Sequence, residues 1–309
     1  MYTEFHKFYL VGAAGGNTPT ADELFYHWAV IHPTMMLATE ALMKNFRRYS
    51  QNYCNHDVPD EARLIRRHPT WHLRILSYHW ANSWENIEAS IEDPSHRSRL
   101  GRHVFGDQSS IRCFFGRGSP VYKSTDFQHP AALTISHWLG LRLGDTRAEA
   151  VQRLKKHKAL LAFVLQELGR DVKYSVGICD EDQVKRIESS RLASFPWEGY
   201  FAVELIQFQV KEDGFDFVER YKNELVASYA EFIDLETSYS IYGVERVVFD
   251  FTDESQSLTN ELWLGDSLTD FAQILLRKHH YPCSSRLSTP ANIKYSMRIG
   301  NRTCRHLIC

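Results

Sequence analysis

No stretch of this chain is apolar for long enough to cross a membrane, and its start has neither the basic residues nor the apolar run of a secretory signal. A soluble, cytoplasmic protein without a membrane partner is expected. An excess of one charge is missing too: 36 Lys and Arg face 38 Asp and Glu, a net charge of −2. That removes the basic field a nucleic-acid partner would need, and the one basic cluster, Arg63 with Arg66 and Arg67, reads as a solvated loop. The six cysteines, Cys54, Cys113, Cys179, Cys283, Cys304 and Cys309, show no Cys-x-x-Cys spacing, which argues against a disulfide framework or a zinc site. His27 and His32 stand five apart, on different sides of a helical wheel, and no metal is expected. The glycines of GAAGGNTPT have neither a dinucleotide nor a phosphate-loop spacing, so they read as a flexible connection ending in Thr18 or Thr20 as a helix cap.

What the chain does have is internal repetition. His32 and His157 lie 125 residues apart, as do the pairs Tyr49-Ser50 and Tyr174-Ser175, and the elements around them follow one order. EFHKFYLVGAA reads as a strand. The next segment, TADELFYHWAVIHPTMMLATEALMK, carries Leu24, Trp28, Ile31 and Met35 at helical spacing. FRRYSQNYC and TWHLRILSYHW follow as strands, NSWENIEASI as a helix with an Asn or Ser cap, and SIRCFFGRG as a last strand. The order β-α-β-β-α-β recurs through ALTISHWLGLRL, DTRAEAVQRLKKHKALLAFVLQELG, KYSVGI, YFAVELIQFQV, DGFDFVERYKNELVASYAEF and YGVERVVFDF. This is the ferredoxin-like split βαβ, whose sheet is covered by helices on one face only. Strand TWHLRILSYHW is apolar on both faces, with Trp71, Leu73 and Ile75 on one and Leu76, Tyr78 and Trp80 on the other, so the bare face also needs a partner. The fold class predicted is α+β: two tandem ferredoxin-like βαββαβ units packed sheet to sheet as an intramolecular dimeric α/β barrel. The units are assigned to residues 1–122 and 131–255, with a linker at 123–130 inside the Gly, Pro and Ser-rich GRGSPVYKSTDFQHP and a C-terminal extension at 256–309. An internal pseudo-dimer of this kind can work as a monomer or as a homodimer.

HWAVIHPTMM is the most specific local string. A residue before proline is pushed out of α geometry, and proline suits a helix start, so the helix is expected to break at His32 and restart at Pro33. That would hold the imidazole at a helix terminus, either as a general acid or base or as a capping or core histidine bound to a carbonyl.

Together, DELFYHWAVIHPTMM, FRRYSQN and GDQSSIRCFF resemble the EthD family of dimeric α/β-barrel proteins. The resemblance rests on Trp28, His32, Pro33, Arg48, Tyr49, Gln51, Asn52 and Asp107, covers about the first third of the chain well, and follows the second unit only in outline. It implies the fungal secondary-metabolism type, whose members act on aromatic polyketides as dehydratases, decarboxylases or cyclases without a cofactor. Some related barrels bind haem through one histidine, for which a lone His is a weak signal. The second unit departs from the pattern, with Lys158 where the first has Pro33 and no Gln-Asn after Tyr174, so one active and one degenerate half is the simplest arrangement.

In such a fold a mostly apolar pocket can open between the sheet and its covering helix. His32, Tyr49, His79 and Asp107 are the candidate catalytic residues, and Trp28, Met36, Asn52, Tyr78, Trp80, His157 and Tyr174 the candidate substrate contacts. For a small hydrophobic or aromatic β-keto acid or β-hydroxy ketone, His32 would move the proton, Tyr49 would steady the enolate oxygen and Asp107 would orient the imidazole. Each has a plainer alternative: Tyr49 as a barrel cap, Asp107 as a turn residue, and His79 or His72 on whichever face of its strand is turned from the pocket. Dehydration, decarboxylation or cyclisation, a conformational template for an isomerisation or pericyclic step, and a non-catalytic binding barrel all remain compatible with the sequence.

Overall fold

The computed structural model describes residues 7–15, 27–54, 58–67, 73–95, 112–190, 193 and 199–250. The chain divides into compact units at Met1–Thr252 and Asp253–Cys309, and all described residues belong to the first. The expected C-terminal extension, Trp71, His72 and Asp107 lie outside the described residues.

Eight antiparallel strands close into one barrel. They are β1 (Lys7–Gly15), β2 (Phe46–Cys54), β3 (Leu73–Ala81), β4 (Arg112–Lys123), β5 (Leu133–Leu139), β6 (Val172–Ile178), β7 (Ala202–Phe208) and β8 (Tyr239–Asp250). The first four lie in the order β4-β1-β3-β2 and the last four repeat it as β8-β5-β7-β6, so each half is a ferredoxin-like sheet. Two seams join the halves edge to edge, β2 on β8 and β4 on β6. Each seam carries a glycine where the backbones approach closely: a Cβ on Gly243 would sit 2.6 Å from the Tyr53 carbonyl oxygen, and one on Gly116 2.7 Å from that of Ile178. Closure leaves no bare sheet edge and explains why β3 is apolar on both faces.

In the second half the covering helices are α4 (Arg147–Leu168), opened by a Thr146/Glu149 capping box and ended by Gly169 at φ +64°, and α6 (Lys211–Ala230). Leu154, Leu161, Leu165, Phe217 and Leu225 on these helices share a core with Ile135, Val172, Ile206 and Phe208 of the sheet. The first half uses α1 (His32–Leu37), α2 (Glu40–Asn45) and α3 (Trp84–Glu92), whose cap Ser83 accepts from the Asn86 N–H.

Three local expectations change. The helix does not break at His32: Ile31 stays helical (φ −71°, ψ −50°), and a π-helical turn at His27–Ile31 runs straight into α1. The break comes later, where Thr39 turns extended before α2. The Gly, Pro and Ser-rich residues just ahead of the expected linker are strand, because β4 continues through Lys123 to pair with β6. An extra helix, α5 (Glu181–Ser189), lies between β6 and β7, opened by an Asp180/Gln183 capping box.

Candidate active site

Pro33 shapes the site from the backbone outward. In an α-helix each N–H bonds the carbonyl four residues back, so proline at 33 leaves the Ala29 carbonyl without a helical donor. The π turn reaches one residue further and takes the His32 N–H away from Trp28 as well. Two consecutive carbonyls are thereby freed, and side chains fill both places. Gln51 Nε2 donates to the Trp28 oxygen at 2.8 Å, and Arg246 Nη1 donates to the Ala29 oxygen at 2.9 Å.

The same amide nitrogen of Gln51 donates its second hydrogen to Tyr49 Oη at 2.8 Å. Its orientation follows from chemistry, since a backbone carbonyl can only accept. With that hydrogen arriving at the Tyr49 oxygen, the phenol has one proton to give, and His32 Nδ1 lies 2.7 Å away. With Tyr49 as the donor to His32 Nδ1, an uncharged imidazole would carry its own hydrogen on Nε2. Burial raises the Tyr49 hydroxyl well above its usual pKa, and Gln51 and Arg246 only partly offset this, so the phenol stays protonated.

Aromatic rings enclose this chain of hydrogen bonds. Trp28 stacks on His32 with centroids 4.9 Å apart, and His79 stacks on Tyr49 at 4.6 Å and 12°. Phe46 lies against His79, and Phe249, from the other half, against Tyr49. His32 and His79 are each 7% exposed, whereas Tyr49 is fully buried. The structure thus brings together His32, Tyr49, His79 and Trp28, while Met36 is buried in α1.

Other candidates lie elsewhere. Arg48, Ser50 and Asn52 alternate with Tyr49 and Gln51 along β2 and face the barrel interior. Tyr78 and Trp80 do likewise on β3, where the Arg48 guanidinium lies 4.9 Å over Trp80. Pleat alternation separates all of these from His32. The lumen holds an ion cluster in which Arg48 pairs with Glu245 at 2.6 Å and His129 Nδ1 lies 2.6 Å from the same carboxylate. Burial alone would raise the Glu245 carboxyl, but Arg48, His129 and the Ala131 N–H outweigh it and hold the pKa far below the carboxylate range.

His157 and Tyr174 belong to a separate, sealed network. Tyr174 and Tyr229 each donate to Glu204 at 2.6 Å, His137 Nδ1 lies 2.7 Å from Tyr229 Oη, and His157 Nδ1 lies 2.9 Å from Ser228 Oγ. None of these four ring side chains, nor Glu204, is more than 1% exposed. The repeat is also less regular than its first matches suggest. Leu10 pairs with His79 as Ile135 pairs with Ile206, so the matched spacing of 125 grows by two after the second strand. Ile206 stands where the first half has His79, and Ser77 stands where the second has Glu204.

By sequence, neither a protein-family model nor a curated protein matches this chain. Solved structures do resemble it. A protein of Lactobacillus acidophilus described as a candidate monooxygenase is 8% identical, with a TM-score of 0.42 over 78% of this chain and 95% of its own. Another, from Fusobacterium nucleatum, is 8% identical, with a TM-score of 0.44 over 80% and 95%. Chlorite dismutase from Candidatus Nitrospira defluvii is 9% identical, with a TM-score of 0.41 over 80% and 93%.

A haem does not fit the histidine of the second half. The His157 ring lies 4.1 Å from Tyr229 and 5.2 Å from Phe232, and its Nε2 faces Glu204 at 3.8 Å, which leaves no open axial face. Among the described residues no group of three His, Cys, Asp or Glu is arranged to hold a metal ion, and no helix is long and apolar enough to cross a membrane. Sequence reading passed over Gln51 as a site residue, although it lies two positions from Tyr49 and so on the same face. It also missed Glu204, whose signal was a carboxylate inside the apolar strand AVELIQF, and Arg246, which had no local signal.

Proposed function

We propose that the His32 site belongs to a cofactor-independent enzyme acting on a small, largely apolar carbonyl compound, an aromatic polyketide of secondary metabolism being the class the EthD resemblance implies. The observation that carries this reading is the chain Gln51 to Tyr49 to His32, which with an uncharged imidazole would make Nε2 an N–H donor. Such a donor suits a carbonyl oxygen that gains negative charge. Tyr49 then takes the orienting role the sequence assigned to Asp107, because its hydroxyl is buried between two protein partners.

For a β-keto acid, the electrons of the breaking carbon–carboxylate bond pass into the enolate as carbon dioxide leaves, and His32 Nε2–H would hold the enolate oxygen until a proton from water reaches the α-carbon and leaves hydroxide to the solvent. For a β-hydroxy ketone, His79 takes the α-proton, His32 holds the enolate, and the protonated His79 returns the proton to the departing hydroxyl as water forms. Both are lyase reactions. The neutral donor also favours a second reading, an isomerase or cyclase that polarises one carbonyl while the aromatic walls select a conformer.

The test is mass spectrometry of aromatic β-keto acids and β-hydroxy ketones incubated with the native protein and His32→Ala. The lyase reading expects loss of carbon dioxide or water that falls about 10²–10³-fold in the variant. A mass-neutral product would move the assignment to the isomerase. Undiminished turnover by His32→Ala would sink both, and binding without conversion would leave a carrier barrel.

A further inference from the structure

We propose that Arg246, on the last strand of the second half, is a positioning residue for His32, so that the first-half site is completed by the other half of the chain. Gln51 and Arg246 face each other in register across the β2–β8 seam. Both reach the π turn beneath His32, and they take the two consecutive carbonyls that the turn and Pro33 release. Arg246 Nη1 also donates to Tyr53 Oη at 3.0 Å, and the Tyr53 hydroxyl in turn approaches Gln51 Oε1 at 3.4 Å. The clamp is therefore a closed loop of side chains in which Arg246 and Gln51 hold consecutive carbonyls of one turn, while the Gln51 amide also sets the Tyr49 hydroxyl.

Proline at 33 makes this a requirement of the site. A residue with an N–H there could satisfy the Ala29 carbonyl locally and let the turn tighten into ordinary α-helix, which would rotate His32 relative to Tyr49. A cationic donor holds that carbonyl more strongly than a neutral one would. Because Arg246 comes from β8, a first half separated from the second would lack the donor, which gives a physical reason for carrying both halves on one chain.

This inference deepens the catalytic reading of His32 and rests on it for its functional consequence; its structural core is tested separately. Long-range ¹H–¹⁵N NMR of histidine-labelled protein reports the tautomer of His32 and the acceptor state of its Nδ1. The full-length native chain should show a single Nε2–H tautomer with a hydrogen-bonded Nδ1. Arg246→Met should show mixed tautomers and a weakened Nδ1 signature, Arg246→Lys partial recovery, and Arg246→Met with Pro33→Ala recovery of one ordered state. If turnover is found, kcat should fall about tenfold in Arg246→Met with KM little changed. A native-like His32 spectrum in Arg246→Met overturns the proposal. If that variant does not fold, the same comparison is made with Arg246→Lys, where an unchanged spectrum and unchanged kcat overturn it. Loss of the catalytic reading shows itself differently, as unaltered chemistry in His32→Ala, and leaves the spectra to decide the clamp.

Discussion

Replacing Tyr49 by Phe removes one oxygen and tests the whole chain of inference about the tautomer. That oxygen serves two partners, accepting from Gln51 Nε2 at 2.8 Å and donating to His32 Nδ1 at 2.7 Å, in a place with no access to solvent. Each stranded buried partner costs about 1 kcal/mol or somewhat more, and Gln51 keeps its second contact to the Trp28 carbonyl, so the total is about 2–3 kcal/mol. At roughly 2–4 °C per kcal/mol for a domain of this size, the melting temperature should fall by about 4–12 °C. Without the phenol proton the Nε2–H form of His32 loses about 1–1.5 kcal/mol of preference, which allows the other tautomer to be populated. Calorimetry measures the first effect, and ¹⁵N spectra of the His32 ring measure the second. A variant that melts within 1 °C of the native protein and keeps a single Nε2–H tautomer would refute the reasoning, because the hydroxyl would then be neither structural nor orienting.

The lumen ion pair gives a prediction with a sign. Glu245 is held below its unfolded carboxylate value, so its contribution is complete above about pH 4.5 and is lost as pH falls through the depressed folded value. His129, pushed down mainly by burial and also by Arg48 and Lys173, adds a loss that begins lower than about pH 6.5. Denaturant melts of the native protein should therefore weaken on acidification across this range. Arg48→Met strands the buried carboxylate at a cost of about 3–5 kcal/mol at neutral pH. Burial then raises the Glu245 pKa, so this variant should recover stability on acidification, and Arg48→Met with Glu245→Gln should be more stable than Arg48→Met alone. Gly243→Ala and Gly116→Ala each push a methyl group onto a backbone carbonyl at a seam, and each should cost about 1–3 kcal/mol in the same melts. An exposed glycine that tolerates a methyl group would not show this loss, so a native melt for either variant would count against close approach at that seam.

Much of the fold was legible because periodicity carries it. The second strand was located to the residue at Phe46–Cys54, and α4 and α6 within two residues at either end, since each has a strong apolar pattern or a clear cap. The His-Pro string was legible as a special place but its geometry was not. Local propensity says that proline disfavours helix at the preceding residue, whereas the side chains of Gln51 and Arg246 let the helix widen and continue. His32, Tyr49 and His79 could be gathered from pattern because a strand alternates faces and the covering helix has to meet one of them. Asn52, Tyr78 and Trp80 could not be separated from that group, since alternation leaves open which set faces the lumen. Arg246 was illegible for another reason: its role depends on a strand pairing between residues almost two hundred positions apart, and nothing in its neighbourhood encodes that partner.

The two halves show how one frame can be turned to different ends. Each keeps a histidine on the covering helix and a tyrosine on the second strand, and the surroundings decide what those groups can do. In the second half Glu204 takes the hydroxyl protons of Tyr174 and Tyr229, and the network closes on itself under full burial. Both oxygens of the Glu204 carboxylate there already have an internal donor. In the first half the described partners of Tyr49 include no carboxylate, and its hydroxyl meets the His32 imidazole instead. The two-residue shift in the third strand is what makes the difference, because it places His79 over the Tyr49 ring and leaves Ile206 in the matching place. Introducing a carboxylate beside Tyr49 should therefore silence the first half: Ser77→Glu, at the position matching Glu204, would draw the phenol proton away from His32 and reverse its tautomer, a change the ¹⁵N spectrum reads directly. If His32 kept its Nε2–H form in that variant, the contrast between the two halves would not rest on where the tyrosine proton goes.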